Sequence, residues 1–287
     1  MNNAPTAATL LEQGLFHHRQ GQIPQAMDRY TEVLRRDPGN ADALYYVAVV
    51  ACAEGQYQQG IELARRSLSF RRGQARAHNL IGQAHHRLGQ VKEALASFDD
   101  ALECDINFAD AYGNRGNVLT ELNRPAEALS SFERAVELNP GSAMDWHNRG
   151  TTLQGVGRVD EAIASYDRCL AIEPDFTPSH CNRADALNAL KRYAEALEGY
   201  DRALALEPDM PHALVGRAQV LKNLDRAEEA LESIDRAVAL APDFADAHQG
   251  RAIILQALGR EDDSKAALAA AAAAAKAAAT AAEPPAS

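Results

Sequence analysis

Aromatic side chains are scarce in this chain, at 6% of 287 residues, with a single tryptophan. Sheets favour aromatic and β-branched residues, so that shortage beside 46% hydrophobic content argues for closely packed helices. Basic charge is also short: 29 Lys and Arg stand against 40 Asp and Glu, for a net charge of −11. Nucleic acid, whose expected footprint is a basic stripe, is disfavoured as a partner on that balance. The four cysteines, Cys52, Cys104, Cys169 and Cys181, make no CxxC and no zinc-type His/Cys spacing, which speaks against a disulfide framework or a metal knot. The longest apolar run, Ala43 to Ala53, is too short to span a bilayer. The opening MNNAPTAATLLEQG has neither the basic nor the apolar stretch of a secretory signal. GxSxG, Walker, HExxH and GxGxxG motifs in their proper surroundings are missing too. The expectation is a cytoplasmic, non-enzymatic protein that uses no metal, cofactor or membrane.

What is present is a period. DAYGNRGNVL at 110–119 returns as MDWHNRGTTL at 144–153 and as PSHCNRADAL at 178–187, each 34 residues on. Pro140, Pro174, Pro208 and Pro242 share the spacing, which also meets Pro38; Arg72 and Ile106 stand where two repeats lost the proline. Blocks of 34 residues beginning at 7, 41, 75, 109, 143, 177 and 211 bring further columns into line. Block position 20 is always small, from Ala26 and Gly60 to Ala196 and Ala230. Position 24 is usually aromatic, as Tyr30, Phe98, Phe132, Tyr166 and Tyr200, with Ala64 and Ile234 as exceptions.

Each block reads as two helices. In YAEALEGYDRALAL at 193–206, apolar residues recur at i, i+3, i+4 and i+7. Gly21, Gly55, Gly89, Gly157, Gly259 or Asn123 falls between the helices, where a left-handed residue ends the first. Pro24 and Pro125 suit the first turn of the second helix, which has no use for that N–H. The proline at position 32 then stops it. One such pair cannot bury its apolar face alone, so neighbours must stack.

These columns resemble the tetratricopeptide repeat over roughly residues 7–278, nearly the whole chain. The resemblance implies an all-α, right-handed α-solenoid of stacked antiparallel helix pairs whose first helices line a concave face. Seven full repeats would be followed by a capping pair from residue 245, with residues 1–6 and 279–287 disordered. Alanine is the best helix former, so the Ala-rich stretch EDDSKAALAAAAAAAKAAATAA reads as the cap helix, with a flexible linker as the other reading.

Two polar columns carry the functional question. Arg115, Arg149, Arg183, Arg217 and Arg251 fall at position 7, and Asp99, Glu133, Asp167, Asp201 and Asp235 at position 25. A guanidinium at a position usually apolar needs a partner, so the two columns are expected to form an inter-repeat ladder, with ligand binding as the alternative. Asn114, Asn148 and Asn182 fall at position 6, which in the family points into the groove. Positions 9 and 12 should share that face: Asn117 and Thr120, Thr151 and Gln154, Asp185 and Asn188, Gln219 and Lys222. His147 and Asn223 join them from positions 5 and 13.

The groove over repeats 4 to 7 is therefore expected to be rich in amides and poor in charge. An amide both donates and accepts, so a row of them can hold successive peptide groups of an extended protein partner. The basic carboxylate clamp of the chaperone-binding members is absent, since Gly113, Pro178 and Asn182 stand at its positions. The asparagine column resembles the repeat arm of the protein O-linked N-acetylglucosamine transferases, which holds substrate peptides by their backbones. That likeness reaches Asn114, Asn148 and Asn182 only; Gly216 and Gly250 end it. Solvated surface asparagine is the plainer reading. A substrate-recognition arm without its catalytic domain is the alternative function, since nothing after residue 260 has room for a transferase. Leu10, Leu11, Leu15 and Phe16, with no preceding repeat, offer a surface for weak self-association. The tandem pairs His17/His18 and His85/His86 point apart on a helix and make poor chelators. Cys104 and Cys169 stand in apolar columns and read as small hydrophobes, whereas Cys181 stands at a groove position.

Overall fold

The computed structural model describes residues 5–281, and among them regular structure is entirely helical. The order is α1 (Ala7–Arg19), α2 (Ile23–Arg36), α3 (Ala41–Ala53), α4 (Tyr57–Phe70), α5 (Ala75–Arg87), α6 (Val91–Cys104), α7 (Ala109–Glu121) and α8 (Pro125–Leu138). Then follow α9 (Ala143–Gly155), α10 (Val159–Ile172), α11 (Thr177–Ala189), α12 (Tyr193–Leu206), α13 (Pro211–Asn223), α14 (Ala227–Leu240), α15 (Ala245–Ala257) and α16 (Glu261–Ala281). Every odd-numbered helix begins on the first residue of a 34-residue block, so the period in the sequence is the period of the fold.

The breaks follow local chemistry. Gly21, Gly55, Gly89, Gly157 and Gly259 have φ between 70° and 80°, and Asn123 has φ 55°, each ending a first helix in the left-handed region. Repeats 6 and 7 use Lys191 and Asp225 there, both at φ 59°; aspartate visits this region occasionally, whereas lysine has no such preference. The second helices stop in the same register with or without proline. α4 ends at Phe70 and α6 at Cys104, although Arg72 and Ile106 replace the proline. Extended cap residues, such as Arg71 at φ −138° and ψ 103°, do the same work.

The chain forms two compact units, Met1–Pro140 and Gly141–Ser287. In each, an odd helix packs antiparallel on the even helix after it, and the even helix packs on the next odd one. Odd helices also touch each other: α3, α5 and α7 in the first unit, and α9, α11, α13 and α15 in the second. The odd helices thus form the inner row of each unit, an α-solenoid of stacked pairs.

Packing explains the columns. Ala26, Ala94, Ala128, Ala162, Ala196 and Ala230 are all 0% exposed, and helix axes close on them. The position-24 aromatics are buried against glycines: a Cβ added at Gly82, Gly116 or Gly150 would lie 2.6 Å from Phe98, Phe132 or Tyr166. Repeat 2, with Ala64 in the aromatic place, is filled differently. Its Gly60 makes room for Cys52, whose Sγ would lie 2.2 Å from an added Cβ. α16 closes the stack on α15, with Ala267 and Leu255 in its core and Ser264 Oγ donating to Ala252 O at 2.9 Å. Leu268, in the aromatic place, is 51% exposed, with no further helix among the described residues to cover it. The helix runs to Ala281, so residues 279–281, expected in the tail, are helical. Thr6, also expected to be disordered, caps α1 through its side chain. The rest of the two terminal stretches, 1–4 and 282–287, lies outside the described residues.

At the N-terminal end, Leu10 is not the exposed residue expected. It is buried against Val33 and Ala43, and Phe16 carries the exposure instead. Among the described residues no helix is long and apolar enough to cross a membrane.

The charge ladder is built as its spacing suggested. Arg115 Nε donates to Asp99 at 2.6 Å, Arg183 to Asp167 at 2.6 Å, Arg217 to Asp201 at 2.6 Å and Arg251 to Asp235 at 2.5 Å. Arg115 and Arg149 also donate to Ser131 and Ser165 on the second helix of their own repeat, at 2.8 and 2.6 Å. A guanidinium so placed ties one second helix to the next. At Arg217 the side chain is 25% exposed and Asp201 51%, so solvent screens the pair. A double-mutant cycle of Arg217→Leu and Asp201→Asn in urea should give a coupling of about 0.5–1 kcal/mol that shrinks in high salt. Zero coupling would make the ladder decorative.

Candidate functional site

The carboxamides lie on odd helices in both units, and each unit is taken by itself. In the first, Asn114 and Asn117 of α7 line a half-open cleft of about 880 Å³ with Tyr57, Gln83, His86 and Arg87. Asn114 donates through Nδ2 to Oδ1 of Asn79 at 3.0 Å, joining α7 to α5. Asn79 is buried, and sequence reasoning missed it because it stands one position ahead of the asparagine column. Thr120, expected on the same face, turns back to the Gly116 carbonyl at 3.0 Å.

The second unit holds the longer row. Asn148, Thr151 and Gln154 come from α9, Asn182, Asp185 and Asn188 from α11, and Gln219, Lys222 and Asn223 from α13. None of these is buried. Asn182 Nδ2 reaches Thr151 Oγ1 at 3.4 Å, linking α11 to α9. The Tyr166 hydroxyl donates to Gln154 Oε1 at 2.9 Å and lies 3.4 Å from Thr151 Oγ1. The Tyr200 hydroxyl donates to Asp185 Oδ1. Both tyrosine rings are core residues, at most 1% exposed, yet their polar tips end among the groove side chains. The signal for this was the choice of Tyr in repeats 5 and 6 where repeats 3 and 4 carry Phe98 and Phe132.

His147 plays a packing part. Its Nδ1 pairs with Ser179 Oγ at 2.8 Å, its ring meets Phe176 edge-on at 5.1 Å, and burial holds its imidazole below the ordinary histidine range. The column ends after Asn182 for a steric reason. At Gly216 an added Cβ would lie 2.4 Å from the Tyr200 ring, so no asparagine fits there.

Charge in this row is confined to Asp185 and Lys222. The Asp185 side chain is exposed overall, yet crowding of its carboxyl strips away part of its hydration and raises it above the ordinary carboxylate range, against the opposing pull of the Tyr200 hydroxyl and His212. A carboxyl whose folded pKa lies above its unfolded one penalises folding once ionised. The penalty is absent below the unfolded value and complete above the folded one. Asp185→Asn keeps an acceptor for Tyr200 and should raise Tm at neutral pH, the gain vanishing near pH ~3, below the usual carboxylate value. Melts at the two pH values check this, and an equal change at both would refute it.

The remaining candidates make local contacts. Burial, with Asp185 and Glu207 nearby, pushes the Cys181 thiol up to about 11, so it is protonated at neutral pH. All four cysteines are free; Cys169 is buried, whereas Cys104, read as a packed hydrophobe, is exposed at the end of α6. His17 and His85 each pair with a glutamine five residues on, while His18 meets Tyr30 and His86 meets Glu121, so the tandem pairs diverge. No group among the described residues could hold a metal ion. The row can donate and accept hydrogen bonds at regular intervals without bringing a strong charge to bear.

Known proteins share this organisation. Models of the tetratricopeptide repeat match residues 17–84, 75–108, 109–142, 147–211 and 181–245. Among curated proteins, the chain is 27% identical over 120 residues to the probable UDP-N-acetylglucosamine–peptide N-acetylglucosaminyltransferase SPINDLY of Hordeum vulgare, covering 39% of this chain. The match spans only 13% of that protein's length. Among solved structures, PilF of Pseudomonas aeruginosa superposes with a TM-score of 0.66 at 19% identity, over 75% of this chain and 97% of that one. YrrB, a TPR protein with an unusual peptide-binding site, gives 0.57 at 24% identity, over 64% of this chain and 95% of its own. With helix pairs in 34-residue register and matches along most of its length, the chain belongs to the tetratricopeptide-repeat family.

Proposed function

We propose that the chain is a non-catalytic interaction scaffold that holds an extended peptide by its main chain along the polar row of the second unit. The observation that carries this is the engaged but unsaturated state of the amides. Gln154 accepts from Tyr166 through its oxygen, which leaves its NH₂ group to donate. Asn182 turns its NH₂ group toward Thr151 and the Tyr166 hydroxyl and keeps its carbonyl oxygen as an acceptor. Asn188 and Gln219 follow on α11 and α13. Side chains pre-positioned in this way lose little freedom on binding, which favours affinity. The peptide-binding site reported for YrrB, a relative in fold, supports the same reading.

The test is selection of a random-peptide display library on the immobilised chain, followed by affinity measurements on an enriched peptide. Asn148→Ala/Asn182→Ala removes two sets of hydrogen bonds worth about 0.5–1.5 kcal/mol each, so binding should weaken roughly tenfold or more. Unchanged affinity in the folded double variant would defeat the proposal.

A second reading draws on the SPINDLY match: the row selects substrate peptides for a glycosyltransferase. The purified chain should then transfer no sugar from a sugar nucleotide by itself, yet raise the rate of a transferase catalytic domain toward the selected peptides. No such increase leaves the scaffold reading alone.

A further inference from the structure

The two glycines that end the asparagine column differ in kind. Gly216 is required by the ring of Tyr200, whereas a Cβ added at Gly250 would meet only the far end of Ile234, at 3.3 Å. Gly250 borders an open cleft of about 320 Å³ between α13 and α15, floored by Val215, Ile234, Ile253 and Ile254, with Asp246 and Gln249 of α15 also lining it. Ile253 is 46% exposed at its edge. Gln219 and Lys222 belong to the polar row and also line this cleft, so the two are continuous. The side-chain ammonium of Lys222, from the last turn of α13, has no ion-pair or hydrogen-bond partner among the described residues.

We propose that this cleft is the specificity pocket of the groove, taking a leucine, isoleucine or methionine side chain of the bound peptide while a nearby peptide carboxylate pairs with Lys222. The inference rests on the main-chain reading above. Carboxamides that grip peptide groups are indifferent to side chains, so selectivity must come from a place that is not. A floor of branched aliphatic residues rewards an aliphatic guest and penalises a polar one, whose hydrogen bonds it cannot replace. On the α13 side the unpartnered Lys222 ammonium favours an acidic neighbour, whereas Asp246 on the α15 side repels one, so the acidic residue is held at the Lys222 edge. Had the column continued, an asparagine at position 250 would fill the opening.

The same display library tests this with the full chain. Enriched peptides should carry an aliphatic residue with an acidic one nearby. For such a peptide, Gly250→Asn and Ile253→Asn should each weaken binding by about tenfold or more with Tm little changed, since both positions tolerate a side chain. Lys222→Glu should abolish the acidic preference and leave the aliphatic one. Enriched peptides without an aliphatic consensus, or affinity unchanged in both pocket variants, would overturn the pocket. The groove reading would still stand if Asn148→Ala/Asn182→Ala weakened binding. Sensitivity to Gly250→Asn without sensitivity to the asparagine pair would overturn the groove and keep the pocket. A library that yields no binder to wild type overturns both.

Discussion

Tyr200→Ala should destabilise the second unit by about 3–5 kcal/mol, the range for deleting a large buried aromatic. The ring is 1% exposed and sits over Gly216, while its hydroxyl is pinned to Asp185. Little can collapse into the space, because its neighbours Ala184, Ala196, Ala203 and Ala218 are already short and 0% exposed. Tyr200→Phe separates the two contributions. It keeps the packing and removes one hydrogen bond, so about 0.5–1.5 kcal/mol should be lost. Stability in a stacked array is a sum of local terms, and Tyr200→Ala should split denaturation into two transitions, with the Gly141–Ser287 unit melting first. Urea titrations followed by circular dichroism provide the measurement. Equal losses in the alanine and phenylalanine variants would show that the hydroxyl, not the ring, holds the stack.

Gly216→Asn is the second large effect, and it runs against what the repeat pattern invites. Asparagine occupies the same column in the three preceding repeats, and restoring it looks conservative. The space is taken: the new Cβ would lie 2.4 Å from Tyr200 Cζ and 2.5 Å from its hydroxyl. Overpacking of that kind costs about 1–3 kcal/mol, and a rigid ring with no room to move places this case at the upper end. Gly250→Ala is the control. There the contact is with a flexible isoleucine tip at 3.3 Å, and replacing glycine inside a helix brings back up to about 1 kcal/mol. One substitution should lower Tm and the other hold or raise it. If both glycines behave alike, the steric account of where the asparagine column stops is wrong.

Much of the architecture could be read without coordinates because a repeat writes each local rule many times. The small residue at position 20, the aromatic at position 24 and the left-handed glycine after the first helix recur often enough that exceptions such as Ala64 do not hide the register. The ladder was readable for the same reason. Arg217 and Asp201 are 16 residues apart, as are Arg183 and Asp167, and one constant offset between opposite charges implies one constant geometry. The helix end at Lys191 was not readable, since lysine does not favour the positive φ it adopts there, whereas Asp225 is of a type that visits the left-handed region.

The site was less accessible. Helical spacing put Asn148 and Gln154 on one face of their helix, and the family resemblance aimed the asparagine column at the groove, with Asn182 and Gln219 in matching faces of the next two repeats. Three-dimensional packing settled which atoms from different repeats meet: the Asn79–Asn114 bond, the tyrosine tips on Gln154 and Asp185, and the removal of His147 into a contact with Ser179. It also separated Gly216 from Gly250, two identical letters in one column, of which the first is filled by a neighbouring ring and the second opens onto a cleft. Periodicity constrains direction along a helix, whereas occupancy depends on the distance between helices, and no single repeat contains that distance.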